Sequence, residues 1–334
     1  MKCANLHAIG DLRYDEIPMP VCGEDEVLVQ VKFCGICGSD LPRVYTKGTY
    51  RFPTVIGHEF SGLVVEDATG EYTGKKVAVF PLLPCFACPS CKSQHYATCQ
   101  NYDYYGSRCN GGMSQYLAVK RWNLLPVPES LSYEEAAMCE PVAVARHAAL
   151  KLQLRPKDNL LITGAGPIGL LVGQWAKHFG AAQVYYFDID PRKLELCEKL
   201  GFGVYREGMP IHCGLEGTGH GNALGKCLEA VAAGGRLVLM GNPTGAVSLP
   251  QDIYWDILRK ELTLCGTWNS DFRPGQNDWL ESLNAMATGT INARALISHV
   301  YPLSQVQDAF AMMKNRTEAY TKVLVGMEVA DENC

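Results

Sequence analysis

Residues 159–169 read Asn159-Leu160-Leu161-Ile162-Thr163-Gly164-Ala165-Gly166-Pro167-Ile168-Gly169. An apolar run leads straight into GxGxxG, and Pro167 opens a helical pattern that continues to Phe179. Strand, glycine-rich turn and helix start, in that order, make a cradle for a pyrophosphate at a helix N-terminus. Gly164 permits the tight turn, Gly166 lets the backbone approach the anion, and Gly169 permits close helix-to-strand packing, with Pro167 and Ile168 between them. The next apolar run, Gln183–Phe187, ends at Asp188, nineteen positions beyond Gly169. A carboxylate there accepts hydrogen bonds from the adenosine ribose and repels a 2′-phosphate, which predicts NAD rather than NADP. Arg192 and Lys193 lie close behind and soften that repulsion.

Outward from this stretch the texture changes on both sides. From about Arg146 onward strands alternate with helices, the pattern of a doubly wound parallel sheet. Before it the chain is strand-like and turn-punctuated, as in Glu26–Lys32, where apolar and polar residues alternate. The expected organisation is α/β: a mostly-β domain over 1–145, a Rossmann-type cofactor domain over 146–268, and a segment 269–334 with an amphipathic helix near Trp279–Met286 and a closing strand at Lys322–Val325. One connection is short. Between the strand-like Gly203–Arg206 and Cys213–Gly217 only Glu207–His212 remain, whereas a parallel crossover takes a dozen or more residues. The pattern predicts that a stretch is missing there.

A chain of 334 residues exceeds one ordinary core, so two domains are expected at ~150 residues each. Formal net charge is −5 and like charges never run five in a row, which argues against nucleic acid or an anionic membrane as partner. Small molecules are the expected ligands. The first residues lack a signal-peptide core, and no stretch reaches the ~18 apolar residues of a membrane span. A cytoplasmic setting is the expectation, and there 15 cysteines read as metal ligands and small buried hydrophobes.

Four of those cysteines form CxxCxxCx7C: Cys85, Cys88, Cys91 and Cys99. Thiolates at this spacing converge on one ion and close a tetrahedron, the signature of structural zinc. A zinc ribbon contacting nucleic acid would use the same ligands, but this stretch lacks interleaved basic residues. Three further candidates are scattered: Cys37 in Cys34-Gly35-Ile36-Cys37-Gly38-Ser39-Asp40, His58 in Gly57-His58-Glu59, and Glu140 in Cys139-Glu140-Pro141. Taken singly they read as a core thiol, a core histidine and a helix-cap acid. Taken together they are a three-ligand set that leaves a metal position open for substrate.

In this order, these motifs resemble the zinc-dependent medium-chain alcohol and polyol dehydrogenases over essentially the whole chain, and Glu140-Pro141 is similar to the polyol branch. The resemblance implies a GroES-like catalytic domain, two zinc ions (one catalytic, one structural), NAD, a homodimer or tetramer, and oxidation of a secondary hydroxyl of a polyol phosphate. It further implies that Glu59 approaches the metal when the site rearranges, that Asp40 orients His58, and that Ser39 relays the substrate proton. Many relatives carry a histidine three residues after that serine; here the position is Pro42, so water is the expected exit for the proton. For a phosphate-bearing substrate the candidate contacts are Arg43 and Lys47, with Arg51 and Arg273 behind them, and Trp268 and Asn269 at the end of the last cofactor-domain strand. Alternatives of the same mechanism are sorbitol, ribitol or L-threonine as substrate.

Overall fold

Six parallel strands build the sheet of the unit Pro141–Ser270 in the computed structural model, which describes residues 1–327. Their order is Gly203–Val204, Gln183–Phe187, Asn159–Thr163, Ile211–Glu216, Val231–Leu239, Thr263–Gly266. Chain order reverses at Asn159–Thr163, so the glycine turn leaves the sheet at its switch point, where such sheets bind ligands. The helix Pro167–His178 follows at once, with Pro167 in its first turn, where the missing N–H costs nothing. Its buried face carries Leu170, Leu171, Val172, Trp175 and Ala176. Each larger side chain removed from water there contributes about 1.5–3 kcal/mol.

The short connection resolves differently from the sequence expectation. Tyr205–Pro210 alone join Gly203–Val204 to Ile211–Glu216, with no helix between them. A turn with Met209 N–H on the Arg206 carbonyl reverses the chain, and Asn159 Nδ2 ties down the Pro210 carbonyl at 2.8 Å. The first strand is only two residues long, so little length has to be retraced before the next begins. The crossover rule assumes full-length strands.

The other unit comprises Met1–Glu140 and the chain from Asp271 onward. Its main sheet runs Leu124–Pro126, Lys76–Val79, Glu59–Glu66, Glu26–Ile36, Lys322–Gly326, Ile297–Pro302, and Tyr116–Lys120 pairs with the first half of Glu26–Ile36. A smaller sheet orders Asp11–Glu16, Lys2–Ala8, Thr54–Val55. Val27, Val29 and Val31 are fully buried with Leu6, Phe60, Val77, Val79 and Phe310 in one core. β-branched side chains suit such a two-faced, packed strand. The helix Asp278–Ala287 is capped by Asn277, whose Oδ1 accepts from the Trp279 and Leu280 amides.

The border between units falls inside the helix Cys139–Lys151, between Glu140 and Pro141, rather than at 145/146. Cys139 explains why: it is fully buried, and its thiol donates to the Trp279 carbonyl at 3.6 Å, within the β-rich unit. Of the segment read as 269–334, residues 328–334 lie outside the described residues. No helix among the described residues is long and apolar enough to cross a membrane.

Candidate metal centres and cofactor loop

Antiparallel pairing sets Gly35 opposite Glu59, so Cys37 and His58 both leave the sheet at the same edge. Donor atoms of Cys37, His58 and Glu59 lie within 4.8 Å of one another, with His58 and Glu59 buried. A thiolate, an imidazole and a carboxylate at this spacing suit zinc. Glu140 stands beside them, outside that group of three. It is buried, and desolvation pushes its carboxyl up to about 7, opposed by His58 and reinforced by Glu59. Tyr104 O–H donates to Glu140 Oε1 at 3.4 Å, and the Tyr104 ring packs on His58 at 5.7 Å. Burial, then the Glu140 charge, hold that phenol well above its usual pKa, so it remains a donor.

Asp40 is fully buried in the turn after Cys37 and accepts the Cys37 N–H at 2.9 Å and an Arg43 N–H. Burial alone would raise this carboxyl, but His58 and Arg43 outweigh it and hold it well below the usual range. His58 Nδ1 stands 3.5 Å from Asp40 Oδ1 and has no hydrogen-bond partner. Metal-ligating imidazoles are commonly steered by a carboxylate placed this way.

One participant escaped the sequence. Lys322 is 2% exposed, sits one step past the Val323–Ile36 pair, and closes an ion pair with Glu59 Oε2. Burial would lower its pKa, but Glu59 first and Cys37 next raise it. Gly35 makes the pair possible: a Cβ there would stand 2.1 Å from Glu59 Oε2 and 2.9 Å from Lys322 Cε.

Cys85, Cys88, Cys91 and Cys99 also converge within 4.8 Å. Two sulfur pairs, Cys85–Cys91 and Cys88–Cys99, are 3.9 Å apart. Sulfurs ~2.3 Å from a tetrahedral ion stand ~3.8 Å from each other, so the cage has the size of a zinc site. Amides of Gln100 and Cys91 lower the Cys88 thiol to about 6, and those of Ala87 and Cys88 lower Cys85. Phe86 and Tyr96 pack edge-on against Trp122 at 5.0 and 5.3 Å, fixing the lobe to its unit. All fourteen described cysteines are free.

In the other unit, Asp188 Oδ2 accepts the Ala165 N–H at 2.8 Å and Oδ1 the Asp190 N–H at 2.9 Å, tying the acid to the glycine turn. Gly166 is the N-cap of Pro167–His178 and a Cβ there would meet nothing within 4 Å, whereas at Gly169 it would meet the Gly164 carbonyl at 2.2 Å. Open space over Gly166 is what an approaching pyrophosphate needs, and close contact at Gly169 is what tight packing needs. Arg192 is turned away: both ends of its guanidinium fork bond Asp190. Lys193 Nζ lies 3.8 Å from Asp188.

The candidate substrate residues divide. Arg43 is committed to Asp40, and Arg273 bonds Gln276 at 2.7 Å with Asp271 at 3.7 Å. Lys47 and Arg51 are exposed and form no ion pair among the described residues. Trp268 is 57% exposed and Asn269 takes a left-handed turn (φ 55°), both following the strand Thr263–Gly266.

A GroES-like β unit with an open thiolate–imidazole–carboxylate cluster, a four-thiolate lobe and a dinucleotide turn define a zinc-dependent oxidoreductase. Residues 23–129 match the alcohol dehydrogenase GroES-like domain, and residues 167–288 the zinc-binding dehydrogenase domain. The chain is 35% identical over 322 residues to galactitol 1-phosphate 5-dehydrogenase of Escherichia coli K12, covering 90% of this chain and 92% of that one. It is 30% identical to sorbitol dehydrogenase of Bacillus subtilis 168, covering 97% of each. The crystal structure of galactitol-1-phosphate dehydrogenase from Escherichia coli superposes with a TM-score of 0.91 at 31% identity, over 98% of this chain and 100% of that one. The chain therefore belongs to the zinc-dependent medium-chain dehydrogenases. Solved relatives in this fold carry NADH or NADP.

Proposed function

We propose that this enzyme oxidises a secondary hydroxyl of a polyol phosphate with NAD, converting galactitol 1-phosphate to tagatose 6-phosphate. The Cys37–His58–Glu59 cluster, its histidine and glutamate buried, with Glu140 beside it carries the chemical reading, and the similarity to the Escherichia coli enzyme supports the substrate.

Cys37, His58 and Glu140 would hold the catalytic ion, and Cys85, Cys88, Cys91 and Cys99 the structural one. When bound, zinc at the first site would supply a Lewis acid for the substrate hydroxyl, and NAD would supply the hydride acceptor. Around them the protein positions atoms. Asp40 fixes the turn that carries the thiol and faces the His58 ring; Tyr104 fixes one oxygen of Glu140. Lys322 holds Glu59 in a neutralising pair, keeping a second carboxylate from competing for the ion until the site rearranges. Ser39 takes the hydroxyl proton, and since Pro42 offers no acceptor, water carries it onward. Asp188 presents its carboxylate to the ribose hydroxyls.

Initial rates with NAD on galactitol 1-phosphate, galactitol, sorbitol, ribitol and L-threonine test the substrate; turnover of a free polyol with no gain from the phosphate would sink it. Two residue tests accompany this. Asp188→Asn keeps an acceptor for the Ala165 N–H but removes the charge, and is expected to narrow the NAD-over-NADP preference in kcat/KM by about 10- to 100-fold. An unchanged ratio would remove Asp188 from cofactor choice. Gly35→Ala is expected to push Glu59 off Lys322 and lower kcat/KM or zinc affinity by about 10- to 100-fold. Wild-type zinc content together with wild-type rate would show the pair to be incidental.

A further inference from the structure

Arg108 is half-buried and sandwiched. Its guanidinium carbon lies 4.0 Å from the centre of the Tyr50 ring and 4.4 Å from that of Tyr102. Its Nε is buried without a hydrogen-bond partner, and no carboxylate among the described residues pairs with it. Four other arginines are each committed to an acid: Arg43 to Asp40, Arg121 to Asp67, Arg192 to Asp190, Arg236 to Asp158. A guanidinium held without its own acid is an unused fork.

Its place in the fold gives that fork a use. The Arg108 N–H bonds the Tyr104 carbonyl at 3.0 Å, one turn of chain away from the residue whose phenol reaches Glu140 and whose ring packs on His58. Tyr102 packs on Tyr104 at 6.3 Å, so a continuous line of rings runs from His58 through Tyr104 and Tyr102 to Arg108. Two aromatic rings pack against the guanidinium, and its N–H donors lie in its own plane. In-plane N–H donors match two oxygens of a phosphate, and stacking pre-organises them. Lys47 and Arg51, on the segment that carries Tyr50, are exposed and add positive charge with no ion-pair partner among the described residues.

We propose that Arg108, clamped between Tyr50 and Tyr102, is the seat for the substrate's phosphate and the residue that separates a polyol phosphate from a free polyol. This rests on the polyol-phosphate reading above. The test is steady-state kinetics of Arg108→Met and Arg108→Lys with NAD on galactitol 1-phosphate and on galactitol, after matching their zinc content and melting temperature to wild type. In Arg108→Met, KM for the phosphorylated polyol rises about 10- to 100-fold, the loss expected for charge-assisted hydrogen bonds, while kcat/KM for galactitol stays within about twofold. Arg108→Lys, with charge but no fork, falls between. Wild-type preference for the phosphorylated polyol that survives in Arg108→Met overturns the seat alone, as does an equal loss on both substrates. A wild type with no preference overturns the seat and the substrate reading together. If Arg108→Met does not fold, the lysine variant decides: wild-type KM for galactitol 1-phosphate overturns the bidentate role.

Discussion

A Cys37→Ser variant is expected to lose at least about 10³-fold in kcat and to bind one zinc fewer than wild type. Cys37 sits in a turn held from two sides, by Asp40 on its amide and by the strand pairing that sets Gly35 opposite Glu59. A hydroxyl in place of the thiolate leaves His58 and the carboxylates with too few donors to retain the ion. Losing Lewis-acid stabilisation removes several kcal/mol from the transition state, and each 1.36 kcal/mol is about tenfold in rate. The fold should survive, because Cys37 belongs neither to the four-thiolate lobe nor to the buried β core. Zinc counted by a colorimetric chelator beside NAD reduction gives the answer; full activity would defeat the catalytic-zinc assignment.

The second large effect is structural. Cys91→Ser is expected to lower the melting temperature by on the order of 10 °C and to release the other zinc, with the rate per correctly folded molecule less affected. Metal binding free energy at such a site is folding free energy, because the cage does not exist in the unfolded chain. Cys91 lies on the short helix Pro89–Lys92, and desolvation pushes its thiol up to about 12, so without an ion it stays protonated among its neighbours. Thermal melting with and without a strong chelator reports this. A melt unchanged by the mutation would show that Phe86, Tyr96 and Trp122 suffice to hold the lobe.

What could be read from sequence was what depends on fixed, short spacing. GxGxxG with Asp188 behind it, and four cysteines two, two and seven residues apart, need few neighbours to be recognised. The Asp40–Arg43 pair was legible in principle, since positions three apart in a helical turn face each other. Arg43 looked instead like a free cation for phosphate. Arg108 carries no signal in the sequence, because nothing local announces that Tyr50 folds over it. Lys322 and Glu59 met only through the strand register of Lys322–Gly326 on Glu26–Ile36, which no local pattern encodes. The six-residue crossover was unexpected because a two-residue strand carries almost no periodicity.

That Glu59–Lys322 pair also places the site in time. The two residues are 263 positions apart (322 − 59), so at roughly 5–20 residues per second the ribosome releases the carboxylate about 13–50 s before its cation. Over that interval Glu59 has been made without the lysine that pairs with it. Under the proposed ligand set, synthesis order thus leaves Glu59 without its cation until the strand bearing Lys322 docks against Glu26–Ile36.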